Sequence, residues 1–259
     1  MDNPLASPGG QGHFRYFSKK NKQEDLKRIV DRRGEKLISP GNKTKFPNKI
    51  FVINLDRRED RWENFKINND YLANHFEIQR FSAIEGKKPV DAIFESYVKC
   101  LTLAFENEES VIIMEDDAYL IPGGIEKLKA AYEELPSDWD CLIGNHYFIG
   151  EIEILSENLA KPVVQASTLN FCIFRKTILE KIQNNLHKRD ISLLDIDHFI
   201  TNEGIPINNY SVWPMVSREI PSFSDHKGMI KDMTIRIREH ANLYQFIDSE
   251  TYYPSLQDW

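Results

Sequence analysis

Residues 111–117 read Val111-Ile112-Ile113-Met114-Glu115-Asp116-Asp117, and residues 49–55 read Lys49-Ile50-Phe51-Val52-Ile53-Asn54-Leu55. Each is an unbroken apolar, largely β-branched run of strand length, the pattern expected where a strand is covered on both faces. Working outward, Phe76 to Phe81 predicts a second strand after Lys49–Leu55, and Trp139 to Ile143 one after Val111–Met114. Between them Ile93, Phe94, Tyr97, Val98, Leu101 and Phe105 recur at three- and four-residue steps, as do Ile125, Leu128, Tyr132 and Leu135 after Pro122-Gly123-Gly124. Both are helix patterns. Strands alternating with helices predict an α/β domain whose central sheet is mostly parallel and flanked by helices.

The second half is less regular. Val163 to Phe174 reads as extended, Ile178, Leu179, Ile182 and Leu186 share one helix face, Tyr210 to Trp213 reads as a late strand, and Met229 to Ile247 as a long C-terminal helix. Residues 1–12 are rich in Pro, Gly and Ser, Gln23–Arg33 carries Leu26, Ile29 and Val30 at helical spacing, and Ser39-Pro40-Gly41-Asn42 reads as a linker. The expected organisation is a basic extension over residues 1–45, a main domain over 46–228, and a C-terminal helix and tail over 229–259 that pack on the same domain.

Composition narrows the function. Of 259 residues, 41% are hydrophobic and 28% charged, a globular balance that excludes a disordered chain. No apolar run approaches the ~18 residues of a membrane span. The N-terminus has neither a basic start nor an apolar core of the secretory kind, so the expected location is cytoplasmic. Cys100, Cys141 and Cys172 lie far apart with no Cys-x-x-Cys spacing, which supports neither a disulfide framework nor a structural zinc site. Residues 1–49 hold 12 Lys and Arg against 5 Asp and Glu, and the remainder 21 against 35. The basic head is either a solvated tail or an arm for a polyanionic partner, and the acidic body argues against a broad nucleic-acid footprint.

In open α/β sheets, ligands lie outside the carboxyl ends of strands, so polar residues just after apolar strands come first. Asn54-Leu55-Asp56-Arg57-Arg58-Glu59-Asp60-Arg61 puts three arginines there. Either they receive a phosphate or diphosphate at a helix N-terminus, or they pair with Glu59 and Asp60 on a solvated face. Glu115-Asp116-Asp117 ends the strand from Val111. Strand alternation predicts that Glu115 and Asp117 converge while Asp116 faces away. Two hard oxygen donors of that kind suit Mn2+ or Mg2+ bound jointly with substrate phosphates.

Taken in order, Ile53 to Arg61, Phe81-Ser82-Ala83-Ile84-Glu85-Gly86, Ile113 to Asp117, Leu194-Asp195-Ile196-Asp197-His198-Phe199 and Ser222-Phe223-Ser224-Asp225 resemble the landmarks of glycosyltransferase family 25. The likeness runs from about Lys49 to His226. It implies a GT-A-type domain, a nucleotide-sugar donor that is usually a UDP-hexose, and a divalent metal on an acidic motif. Carried over by position, Glu115 and Asp117 would hold the metal, with His226 completing its shell unless it is a surface loop histidine. Asn54, Leu55, Arg57, Arg58, Arg61 and Asp116 would line the nucleotide pocket, with Ala83 and Gly86 in the turn beside it.

Asp197, and after it Asp195, would be the base that takes a proton from the acceptor hydroxyl in an inverting transfer, although Asp195 could equally cap a helix. The acceptor could be a glycan, a lipid-linked saccharide, a protein hydroxyl or, as a minor option, a nucleic-acid base. The sequence departs from the family where Ser96-Tyr97 replaces Ser-His. That leaves an inactive binding module as one alternative, and a phosphoryl or nucleotidyl transferase using the same acids and arginines as another.

Overall fold

A computed structural model describes residues 29–35, 39–86, 88–145, 148–149, 152–162, 166–167, 169–192, 196–201, 205–225 and 228–231. Nine strands form the central sheet: β1 Ile29–Asp31, β2 Lys49–Asn54, β3 Glu77–Ser82, β4 Ser110–Glu115, β5 Cys141–Ile143, β6 Ile152–Ile154, β7 Leu159–Pro162, β8 Phe171–Arg175 and β9 Asn209–Val212. Their spatial order is β1-β6-β7-β9-β5-β8-β4-β2-β3.

The alternating strands and helices of the first half appear as read. Helices α1 (Glu59–Asn68), α2 (Pro89–Ala104) and α3 (Gly124–Glu133) separate the strands from β2 to β5, and α4 (Thr177–Ser192) and α5 (Ile196–Thr201) follow β8. Glu59 and Asp60 in the first turn of α1, and Pro89 with Asp91 in that of α2, suit the positive end of a helix.

The molecule is an α/β fold with helices on both faces of the sheet. On one face Val52, Met114, Leu142 and Ile173 pack with Phe65 of α1 and Leu128 and Tyr132 of α3. On the other, Ile53, Ile113, Ile143 and Cys172 pack with Tyr97 and Leu101 of α2, Ile182 of α4 and Phe199 of α5.

Pairing corrects one expectation. Four of the eight pairings are parallel, β1 with β6, β9 with β5, and β2 with both β4 and β3. The other four are antiparallel, so the sheet is mixed rather than mostly parallel. Its strands β8 and β4, paired from Phe171 with Met114 to Arg175 with Ser110, are apolar because both faces are covered, and such runs carry no sign of direction.

The chain ends also differ from their reading. Ile29 and Val30 lie in β1 on the sheet edge rather than in a helix, because two β-branched residues beside an open strand gain a ladder that a short isolated helix lacks. The rest of the expected helix, from Gln23, lies outside the described residues. Arg32 pairs with Glu153 at 2.8 Å and Arg33 with Glu157 at 2.7 Å, which ties part of the basic head to the acidic body. Met229–Lys231 pairs antiparallel with Ser222–Ser224 instead of opening a helix, and the remainder of that segment is not described. Among the described residues no helix is long and apolar enough to cross a membrane.

The expected linker is anchored. The Asn42 amide donates to the Tyr132 carbonyl at 3.0 Å, and its Oδ1 accepts from Trp139 Nε1 at 3.1 Å and from the Thr44 backbone N–H at 3.0 Å. Trp139 is fully buried, so its indole N–H has few other acceptors to turn to. Asn42→Ala should therefore lower stability by about 1–3 kcal/mol, the cost of an orphaned buried donor. Urea denaturation checks this, and a change under about 0.5 kcal/mol would return residues 39–42 to a passive linker.

Candidate functional site

Strands β2, β4, β5 and β9 share one direction, and β8 runs against it. The carboxyl ends of β2, β4 and β5 and the start of β8 therefore meet at one edge, which collects Asn54, Glu115-Asp116-Asp117, Asn145 and Asn170. Asn54, Asp116, Asp117, Asn145 and Asn170 are all buried, an unusual density of polar groups for one sheet edge.

The edge has two sides. On the α1 side, Arg61 Nη2 reaches the Asp116 carboxylate and lies 2.8 Å from Asp117 Oδ2. The Asn54 amide donates to Asp116 Oδ2, while its Oδ1 accepts from Arg80 Nε at 2.8 Å. Burial pushes the Asp116 carboxyl up to about 7; Arg61 and the Asn54 amide oppose the shift, and Asp117 and Glu115 add to it. Burial also works against the Arg61 charge, but Asp117, Asp116 and Glu115 outweigh it and hold the guanidinium ionised. Among the described residues, two buried atoms in this cluster have no hydrogen-bond partner, Asp117 Oδ1 and Arg61 Nε.

On the α2 side, Tyr97 Oη lies 2.8 Å from Glu115 Oε1 and 2.9 Å from the Leu169 carbonyl. Burial drives the Tyr97 hydroxyl well above its ordinary range, and the charges of Glu115 and Asp197 push it further. Those same two carboxylates also raise the fully buried Cys172 thiol, after burial and Cys141. Helix α5 thus carries Asp197 to the Glu115 side of the edge.

The three acids do not divide as alternation predicts. Asp116 and Asp117 share Arg61, and Glu115 stands apart on Tyr97. The reason is that β4 ends at Glu115 and the chain turns through Asp116-Asp117 before the short strand Ala118–Leu120, so the two-residue period stops there.

Of the arginines after β2, Arg58 pairs with Asp60 as one reading has it, while Arg57 and Arg61 find acids elsewhere in the chain. Arg57 pairs with Glu85 at 3.0 Å and Asp225 at 2.7 Å; Arg58 pairs with Asp60 at 2.8 Å and reaches Asp225 and the Phe223 carbonyl. The Arg57 pairs are exposed and therefore weak and exchangeable, whereas the Arg58 side chain is as deeply set as that of Arg61, which is committed to buried acids. Leu55 contributes its carbonyl to the Arg58 N–H at 2.8 Å. Ala83 donates to the Asn54 carbonyl at 2.9 Å, and a Cβ on Gly86 would stand 3.3 Å from that of Ala92, so the turn after β3 lies against β2 and the start of α2. Asp195 and His226 lie outside the described residues.

Three contributors were not singled out from sequence: Arg80, Asn145 and Asn170. The Asn145 amide donates to Asn170 Oδ1, and the Glu115 N–H donates to the Asn170 carbonyl at 2.8 Å. The rule that selected Asn54 and Glu115, a polar residue flanking an apolar strand, applies equally to Asn145 after Cys141–Ile143 and Asn170 before Phe171. Gly144, between β5 and Asn145, lets the Phe171 ring approach, since a Cβ there would stand 2.2 Å from the ring.

A cation fits the α1 side. Asp117 Oδ1 is a hard oxygen acceptor, buried and unsatisfied, and such groups are rarely left so without a ligand. Among the described residues no three His, Cys, Asp or Glu side chains stand together as a complete metal shell.

No family model and no curated protein matches the chain. Among solved structures it is similar to a glycosyltransferase involved in glycosylation of the major capsid of PBCV-1, at 12% identity and TM-score 0.38, covering 55% of this chain and 66% of that one. The chain thus spans just under two thirds of that protein. It is also similar to a mutant Drosophila β-1,4-galactosyltransferase 7 in complex with manganese, UDP-Gal and xylobiose, at 7% identity and TM-score 0.38, covering 75% of this chain and 79% of that one.

The raised Asp116 carboxyl predicts a pH signature in protein kept free of divalent cations. Between about 4 and 7 the folded chain keeps a proton that the unfolded chain has released, so this group removes stability as pH rises through that window. The thermal midpoint of Asp116→Asn relative to the parent should therefore climb from pH 4 to 7 and level off above. Parallel curves would show that Asp116 is ionised throughout.

Proposed function

We propose that the protein is a metal-dependent glycosyltransferase of GT-A type that moves a hexose from a UDP-linked donor to an acceptor hydroxyl with inversion. The observation that carries this reading is Asp117 Oδ1, a buried carboxylate oxygen without a partner among the described residues at the carboxyl edge of the sheet, on a segment that also presents Arg57, whose exposed ion pairs are exchangeable. The resemblance of the landmarks from Ile53 to Asp225 to glycosyltransferase family 25 supports it.

In this reading Mn2+ or Mg2+ would be held on the α1 side by Asp117, with His226 as a further ligand and substrate oxygens completing the shell, and would supply Lewis-acid stabilisation of the departing diphosphate; Glu115, which the sequence paired with Asp117, is held apart by Tyr97. Arg57 and Arg58 exchange Asp225 for phosphate oxygens, and Arg61 keeps Asp116 and Asp117 oriented. Asn54, Leu55, Ala83 and Gly86 form the wall against which the nucleoside rests. The acceptor oxygen bonds to the anomeric carbon as the sugar–phosphate bond breaks, its electron pair leaves on the diphosphate, and Asp197 takes the acceptor proton. Asp195 is the second choice for that role. The acceptor is a glycan, a lipid-linked saccharide or a protein hydroxyl, and the basic head leaves a polyanionic one open.

Two substitutions test this. Asp117→Ala should abolish the Mn2+-dependent part of UDP binding measured by calorimetry while the protein still unfolds cooperatively; undiminished binding would sink the metal assignment. Asp197→Asn should lower turnover by roughly 100-fold or more, the scale of lost general-base assistance, with little change in UDP affinity. Transfer at the parental rate would move the base elsewhere.

A further inference from the structure

We infer that Asn170, held by Asn145, is a specificity-determining residue that reads a hydroxyl of the transferred hexose; this rests on the proposed transferase function and deepens it. Asn170 is 3% exposed, and its Nδ2 is buried with no hydrogen-bond partner. Its Oδ1 is occupied by the Asn145 amide, which sets the orientation of the group and leaves the NH2 as the end that can donate. A buried amide donor without an acceptor is costly, so its retention calls for an acceptor supplied from outside the chain.

Position selects the class of that acceptor. The β8–β4 register continues one step past Phe171–Met114 through the bond from the Glu115 N–H to the Asn170 carbonyl, which sets Asn170 opposite Glu115. Directly opposed residues of neighbouring strands project to the same face. Asn170 therefore shares the α2 side with Glu115 and Tyr97, whereas the arginine-bound acids Asp116 and Asp117 lie on the α1 side. The basic groups that suit a diphosphate, Arg57, Arg58 and Arg61, all come from the segment after β2. Among the described residues, what remains on the Asn170 side is neutral amide, phenol and carboxylate, a set that matches the paired donor and acceptor capacity of sugar hydroxyls and offers no cation for a phosphate. Ser217, whose buried Oγ also lacks a partner, joins the same edge through its backbone bond to the Gly144 carbonyl at 3.2 Å.

The test uses the full-length protein with Mn2+ and measures hydrolysis of UDP-glucose, UDP-galactose and UDP-N-acetylglucosamine beside inhibition by UDP. In Asn170→Ala, kcat/KM for the preferred donor should fall at least tenfold, the preference among the three sugars should narrow, and the UDP inhibition constant should stay within twofold. An equal loss for UDP and for every donor would make Asn170 a scaffold residue and overturn the inference, as would an unchanged preference. Asn170→Ser, which removes the amide but keeps a small polar group, is the second variant if the alanine change impairs folding, and the same selective loss is expected. If the parent itself binds neither UDP nor any of the three donors, the transferase reading fails first and the assignment of Asn170 falls with it. A parent that binds UDP, paired with an indifferent Asn170 variant, isolates failure of the inference alone.

Discussion

The site turns on one guanidinium. Arg61 brings a single positive charge to two adjacent buried carboxylates, Asp116 and Asp117, at the point where β4 leaves the sheet. One cation cannot neutralise two anions, and the imbalance appears in two places: Asp116 is pushed toward its protonated form, and one oxygen of Asp117 is left without a partner. Burying charge in this way is costly, and removing the arginine would strand both acids. The Asn54 amide completes this cluster at the turn after β4, and α1, which carries Arg61 to it, packs on the sheet through Phe65.

The rest of the edge is arranged around that commitment. Because Arg61 is spoken for, Arg57, whose pairs are exposed, is the cation freest to change partners, and both it and the deeper-set Arg58 reach Asp225 beside the hairpin of Ser222–Ser224 and Met229–Lys231. The exit of β2 is thereby coupled to a segment distant in sequence, so a ligand that displaced Asp225 would also loosen the hairpin's hold on α1. On the opposite side the groups are neutral or acidic, with Tyr97 wedged between Glu115 and the Leu169 carbonyl. The edge is thus divided into an arginine-bound acidic side and a side of neutral and acidic groups.

Tyr97 bears on the inactive-module alternative. It stands where the resembled family has histidine, yet it is fully buried and hydrogen-bonded to Glu115 rather than turned away. Its hydroxyl stays protonated through the physiological range, so it holds Glu115 in place without offering a proton there.

Much of this was legible in the residues alone. Apolar runs bounded by polar residues located β2 and β4 and pointed to Asn54 and Glu115 at their ends, since a strand buried on both faces has to be apolar and polarity returns where it emerges. Helical spacing located α2 and α3 for the same reason of one-sided burial. Strand direction was beyond reach, because Phe171–Arg175 is covered on both faces whichever way it runs. The β1 strand was misread as helix because Ile29 and Val30 satisfy both periods over so short a span, and the open edge of β6 decided between them. The split of Glu115 from Asp116 and Asp117, and the meeting of Asn145 with Asn170, are products of a turn and of an antiparallel register. Both depend on which strands become neighbours, and contacts between residues far apart in the chain settle that where local pattern has no purchase.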